Sequence, residues 1–211
     1  MDIIFNPDKF LSSDPGWLKA SVVVAIVVAI SLYNASVLAE PMAEATKQLL
    51  LKMPSSNPEV AESFARSTIA VSLVGAVAGP IITWLVIYAG ITYVVAAVLG
   101  GRGKFTGLLR LTAFAFVPTI VLAPVNVYYN HHYALMLEEY GAQAIGAVST
   151  PMAIISLANS LWAFVYLCFA AKHAMGISTK RAAVAAAVPT LLVSAGSIFS
   201  LIFAETLLQP Y

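Results

Sequence analysis

The chain has 211 residues, 60% of them hydrophobic and 10% charged, with a formal net charge of +1. Soluble domains carry roughly 45–50% apolar and about 25% charged residues, so this composition excludes an ordinary water-soluble domain and points to a membrane protein. The single cysteine, Cys168, excludes an intramolecular disulfide and says nothing of redox compartment.

In chain order, MDIIFNPDKFLSSDPGW places Asn6 as a helix N-cap and Pro7 at the first helical position, where its missing N–H would be unpaired in any case. Ile3, Ile4, Phe5, Phe10, Leu11 and Trp17 supply apolar and aromatic anchors. Residues 1–16 therefore read as a short helix in the membrane interface.

Five long runs free of charge, within 20–39, 67–101, 111–129, 140–171 and 182–204, each approach or exceed the roughly 20 residues a helix needs to cross a bilayer. They predict one all-α, five-span domain over 1–211, with spans at about 17–39, 67–99, 106–129, 149–171 and 182–204. The segment before the first run carries Asp2, Asp8 and Asp14 rather than a basic n-region, so this run reads as a permanent span and not a cleaved signal peptide.

From Glu40-Pro41, Met42, Ala45, Leu49 and Met53 recur at helical spacing between polar residues, which predicts an amphipathic helix outside the membrane. The turn MPSSNPE follows, with Asn57 as cap, Pro58 at the first helical position and Glu62 four residues before Arg66. Together these segments predict an extracytoplasmic helical hairpin extension.

At about 1.5 Å per residue, the run 67–101 outreaches a hydrocarbon core of about 30 Å. It must protrude, tilt or break, and Gly79-Pro80 is the natural place for a break or bend. Pro118, Pro124, Pro151 and Pro189 mark the later spans in the same way. AFVPTIVLA and AAVPTLLVSA each follow a basic hairpin, LGGRGKF and MGISTKR, which hints at a parallel internal repeat.

Topology follows from the basic residues. Lys9, Lys19, Arg102, Lys104, Arg110, Lys172, Lys180 and Arg181 share one side of a five-span chain, and Lys47, Lys52 and Arg66 the other. The positive-inside rule then places the N-terminus in the cytoplasm and the C-terminus outside.

Candidate chemistry is sparse. LGGRGKF lacks the G-x-x-x-x-G-K-[ST] spacing of a phosphate loop; it reads as a cytoplasmic turn whose glycine accepts positive φ and whose cations suit a helix C-terminus and an anionic leaflet. Asn130-His131-His132 with Glu138 and Glu139 reads as interfacial solvation rather than a metal site, because adjacent helical histidines point about 100° apart. Lys172-His173 reads as a helix-end anchor, and Arg110 and Glu205 stand near enough to span ends to snorkel. No acidic residue lies deep in a span, which weighs against ion pumps. Neutral polar residues do occur there, including Asn34, Thr83, Thr92, Asn126, Asn159 and Ser160, with Gly75, Ala76 and Gly79 small enough for close helix approach. No Ser/His/Asp or Cys/His set can be assembled, so no catalytic residue, cofactor or metal is expected.

NPDKFL at 6–11, WLVIYAGITYVVAAVLGGRGKFTGLLRLTAFAFVPTIVLAPVN at 84–126 and LWAFVYLCFAAKHAMGISTKRAAVAAAVPTLL at 161–192 resemble the Yip-one (Ypt-interacting protein) domain family. The resemblance covers most of the chain and rests on the GG-basic-F hairpin before an A-x-x-P helix, and on the G-x-[ST]-basic-A hairpin of the last pair. It implies a five-span fold with a cytoplasmic N-terminus. Eukaryotic members sit in the Golgi and endoplasmic reticulum and associate with prenylated Rab-type GTPases. This sequence has neither their long polar N-terminal region nor a D-L-Y-G-P-type motif, so it looks more like the short prokaryotic branch, in a cell membrane, and GTPase binding is not carried over.

The function these readings favour is a non-enzymatic membrane organiser that presents Arg102, Lys104, Lys180 and Arg181 to anionic lipid or to a membrane-protein or cytoplasmic partner. Self-association through small-residue helices fits the same picture, and nucleic acid does not. The alternative is a small-solute or lipid transporter or scramblase, built on Gly79, Pro80, Pro118 and Pro189 with a polar cavity near Thr83, Asn126 and Asn159.

Overall fold

The structure, a computed structural model, describes residues 2–53, 57–146 and 149–207, and every regular element among them is helical. The short helices α1 (Asp2–Phe5) and α2 (Pro7–Ser12) open the chain. Asn6 caps α2 by accepting the Lys9 N–H at 3.2 Å, with Pro7 in the first turn.

Helix α3 (Trp17–Leu51) runs without interruption through Glu40-Pro41, so the separate amphipathic helix expected there is a continuation of the first span. An interior proline costs about 3 kcal/mol in an isolated helix. Here packing on both sides holds the helix together: Ala39 and Ala43 are buried, and Ala45 joins Leu137 and Ala144 in a small second core.

Helix α4 (Pro58–Ile82) starts at Asn57, whose Oδ1 accepts the Glu59 N–H at 2.9 Å. Glu62 pairs with Arg66 at 3.4 Å and with Lys47 of α3 at 2.6 Å. Past Gly79-Pro80 the chain does not break. It widens into a π-helical stretch, Thr83–Ile91, and continues as α5 (Thr92–Val98). The Trp84 indole N–H donates to the Leu109 carbonyl at 2.8 Å, which anchors the widened turn to the next helix.

The third expected span is not one straight helix. It comprises α6 (Phe105–Thr112), a 3-10 turn Ala113–Phe116, α7 (Val117–Val121) and α8 (Ala123–Tyr140), with a 55° bend between α7 and α8. Pro118 and Pro124 each lie in the first turn of a new helix, where proline is tolerated. A 3-10 turn, Gly141–Gly146, leads to α9 (Ser149–Met175) and α10 (Thr179–Leu207). Pro189 lies inside the continuous α10, so the two A-x-x-P segments fold differently despite their similar sequences.

The core gathers Val23, Val24 and Val27 of α3, the unbroken buried stretch 111–118, Tyr166, Leu167, Ala170 and Ala171 of α9, and Ala182, Ala185 and Ala186 of α10. Alanines on both α9 and α10 let those helices close on each other. The outside is apolar too: Val98 is 83% exposed, Val71 70% and Leu161 68%, which suits surfaces wetted by lipid. Among the described residues, Trp17–Leu51, Pro58–Val98 and Pro151–Met175 are long and apolar enough to cross a membrane; the bent pair Phe105–Val121 and Ala123–Tyr140 makes a fourth if it counts as one span.

The packing glycines are not the ones the sequence suggests. A Cβ added to Gly75 or Gly79 meets nothing within 4 Å, whereas at Gly101 it would lie 2.9 Å from the Ala96 carbonyl, and at Gly103 it would overlap the Ala174 carbonyl. Gly103→Ala is therefore expected to destabilise the bundle by about 1–3 kcal/mol, the usual cost of overpacking. Gly79→Ala should stabilise it by roughly 0.5–1 kcal/mol by removing a flexible residue from a helix. Thermal unfolding of both variants in detergent checks the opposite signs.

Candidate functional site

The two hairpins that carry the four cations come together. Gly100 (φ +91°) and Gly176 (φ +66°) adopt left-handed conformations just past α5 and α9 and turn the chain there, as the sequence expects of LGGRGKF. Between the two turns the backbones touch: the Arg102 N–H donates to the Met175 carbonyl at 3.1 Å, and Gly103 lies against Ala174. Arg181 Nη1 donates to the Leu99 carbonyl at 3.0 Å, one of the acceptors left without a partner at the end of α5. Arg102, Lys104, Lys180 and Arg181 are all exposed around this junction.

Lys180 and Arg181 occupy the first turn of α10, where the helix dipole disfavours positive charge by about 0.3–1 kcal/mol each. Arg181 offsets this by reaching the negative end of α5. Lys180 does not contribute a comparable bond among the described residues, so its place in the helix is not explained by local stability.

A second charge cluster holds the N-terminal segment to the same end of the bundle. Lys172 Nζ donates to both carboxylate oxygens of Asp8, at 2.9 and 3.0 Å, and His173 Nε2 lies 2.6 Å from Oδ1. The Lys172 hydrogen bond holds the Asp8 carboxyl below its usual range, against partial desolvation and with help from His173. Arg110 pairs with Asp14, and the Tyr166 hydroxyl donates to the Ile3 carbonyl. Leu11 is fully buried, and Phe10 meets Phe114 edge-to-face at 5.0 Å. The sequence marks Lys172-His173 and Arg110 only as span-end cations. Their partners lie far off in the chain, and the one available signal was that Asp8 and Asp14 fall on the same side.

The candidate positions inside the bundle are dispersed. Gly79, Pro80 and Thr83 share the α4–π stretch, Pro118 and Pro189 are buried on different helices, and Asn126 is half-buried on α8. Asn159 accepts a hydrogen bond from the Thr119 hydroxyl at 3.2 Å, next to Pro118. A partly polar groove of about 440 Å³ lies elsewhere, between α3 and α4, lined by Ser31, Asn34, Ser72 and Ala76 among others. Asn34 Oδ1 is buried without a hydrogen-bond partner among the described residues. His131 and His132 are exposed on α8.

The family model described as the Yip1 domain matches residues 1–202. No curated protein and no solved structure matches the chain.

The Asp8 cluster makes docking of the N-terminal segment depend on pH. A carboxyl whose pKa is lowered on folding contributes stability above its ordinary value of 3.8, and loses it as pH falls through the lowered folded value. Relative to the intrinsic exchange rate at each pH, the protection of α2 amides should therefore be lower below about pH 4 than at neutrality. At neutral pH, Asp8→Asn should speed their exchange about 1.4- to fivefold, equivalent to the roughly 0.2–1 kcal/mol of a solvent-accessible ion pair. Hydrogen-exchange mass spectrometry checks both expectations.

Proposed function

The chain belongs to the Yip1 domain family and is a multi-pass integral membrane protein, and from that premise we propose that it is a non-enzymatic organiser whose working surface is the junction of its two basic hairpins. The observation that carries this reading is the joining of the two hairpins, with Arg102, Lys104, Lys180 and Arg181 all exposed on them, through the Arg102–Met175 and Arg181–Leu99 hydrogen bonds. Such a group attracts anionic headgroups or an acidic partner surface at about 1 kcal/mol per cation near a membrane. In the same reading α10 is the fifth span, the hairpins and the N-terminus are cytoplasmic, the C-terminus is extracytoplasmic, and the α3–α4 connection is outside. The distribution of basic residues supports this orientation.

A second reading, a lipid or small-solute pathway, is favoured by the 55° bend between α7 and α8 and by the unpartnered Asn34 oxygen beside a groove. Asn34→Leu separates the two: on the pathway reading it abolishes lipid scrambling or solute flux in proteoliposomes, and on the organiser reading wild type shows no such flux to lose.

The organiser reading is tested by extraction into native nanodiscs, comparing wild type with the variant carrying Gln at positions 102, 104, 180 and 181. The anionic-lipid enrichment, or a protein retained with wild type, should fall about tenfold or more. Unchanged retention would overturn the reading.

A further inference from the structure

A groove of about 630 Å³ opens where the N-terminal segment meets the start of α3. Its floor is Phe114 and Val23, its roof is Ile3 and Phe10, and Val22 and Lys19 lie along the α3 side. The floor is buried, with Phe114 1% and Val23 8% exposed, while Val22 is half open to the outside. Nearly all of the lining is apolar, apart from Lys19.

Two neighbouring N-terminal segments and the distant Phe114 build this groove, and its roof is held on by specific bonds. Ile3 is fixed through its carbonyl by Tyr166, and Phe10 sits two residues from the Asp8 cluster. The same bonds settle the charge at its mouth. Asp8 is taken up by Lys172 and His173, and Asp14 by Arg110, so Lys19 has no carboxylate partner among the described residues. Lys19 also lies in the first turn of α3, which starts after Gly16 without a side-chain cap, so the helix end adds to the positive potential there. Leu18, 80% exposed, lines the groove, and its neighbour Trp17, 43% exposed, suits the headgroup level of a bilayer.

We propose that this groove binds one anionic phospholipid, with its phosphate on Lys19 and an acyl chain laid along Val22, Val23 and Phe114 under the roof of Ile3 and Phe10. The volume falls in the range of about 300–1,000 Å³ typical of small-ligand pockets. The site is separate from the hairpin cations and does not depend on their role.

The test is native mass spectrometry of delipidated protein titrated with phosphatidylglycerol or phosphatidylcholine. Wild type should retain one phosphatidylglycerol about fivefold more tightly than phosphatidylcholine, the preference expected from one well-placed cation. Lys19→Gln should remove that preference, and Val22→Trp, a change on a half-exposed surface, should remove the tightly held lipid of either kind. Arg102→Gln/Lys104→Gln should leave the bound lipid in place, and free glycerol phosphate should not displace it. Full retention of phosphatidylglycerol by Lys19→Gln, equal loss in the Arg102/Lys104 variant, or displacement by glycerol phosphate would each overturn the proposal.

Discussion

The contact between the two hairpin backbones, with Gly103 against Ala174 and the Arg102 N–H on the Met175 carbonyl, constrains much of what surrounds it. In a bilayer the hydrophobic effect does not draw helices together, because lipid tails are as apolar as their side chains; close packing and hydrogen bonds do that work. A site where two main chains touch needs a residue without a Cβ, and Gly103 supplies it. From that point α6 and α10 leave in directions set by the junction. The alanine-rich faces of α9 and α10 extend the close approach along their length.

The same junction sorts the charges by depth. Arg110 and Lys172 are partly buried, with side chains 21% and 30% exposed, and each has a carboxylate from the N-terminal segment. The outer cations Arg102, Lys104 and Lys180 stand in solvent, where pairing contributes little. Asp8 and Asp14 thus act as counter-ions as well as fastening α1 and α2. Because these carboxylates are already engaged, the remaining positive potential at this end of the protein belongs to residues that face outward.

What the sequence made legible was local. Asn6-Pro7 and Asn57-Pro58 cap their helices as read, and the Glu62–Arg66 pair forms, because each depends on neighbours within four residues. Gly100 turns the chain with positive φ for the same reason. The rest was set at a distance. Pro41 stays inside a helix because Ala39, Ala43 and Ala45 are packed by other elements. Gly75 and Gly79 show the spacing of a packing motif and touch nothing, while Gly103, in a loop without helical periodicity, is the glycine that packs. The partners of Lys172 and Arg110 come from the opposite end of the chain, which no spacing rule connects.

The two A-x-x-P segments show how far a motif can be trusted. Pro189 interrupts one hydrogen bond within a helix whose flanking turns pack on α9, and α10 continues; the Thr190 hydroxyl donates to the Ala186 carbonyl at 2.8 Å across that turn. Pro118 is followed six residues later by Pro124, which removes the donor that would reach the Ile120 carbonyl and crowds the turn before it, while Leu122 keeps its bonds to Pro118 and Asn126. The chain bends there, and α8 crosses to pack against the far end of α3, where Ala45 and Leu137 meet. One proline is absorbed and two redirect the chain. The redirected helix follows from that difference, and it makes the two A-x-x-P segments unlike despite their similar sequences.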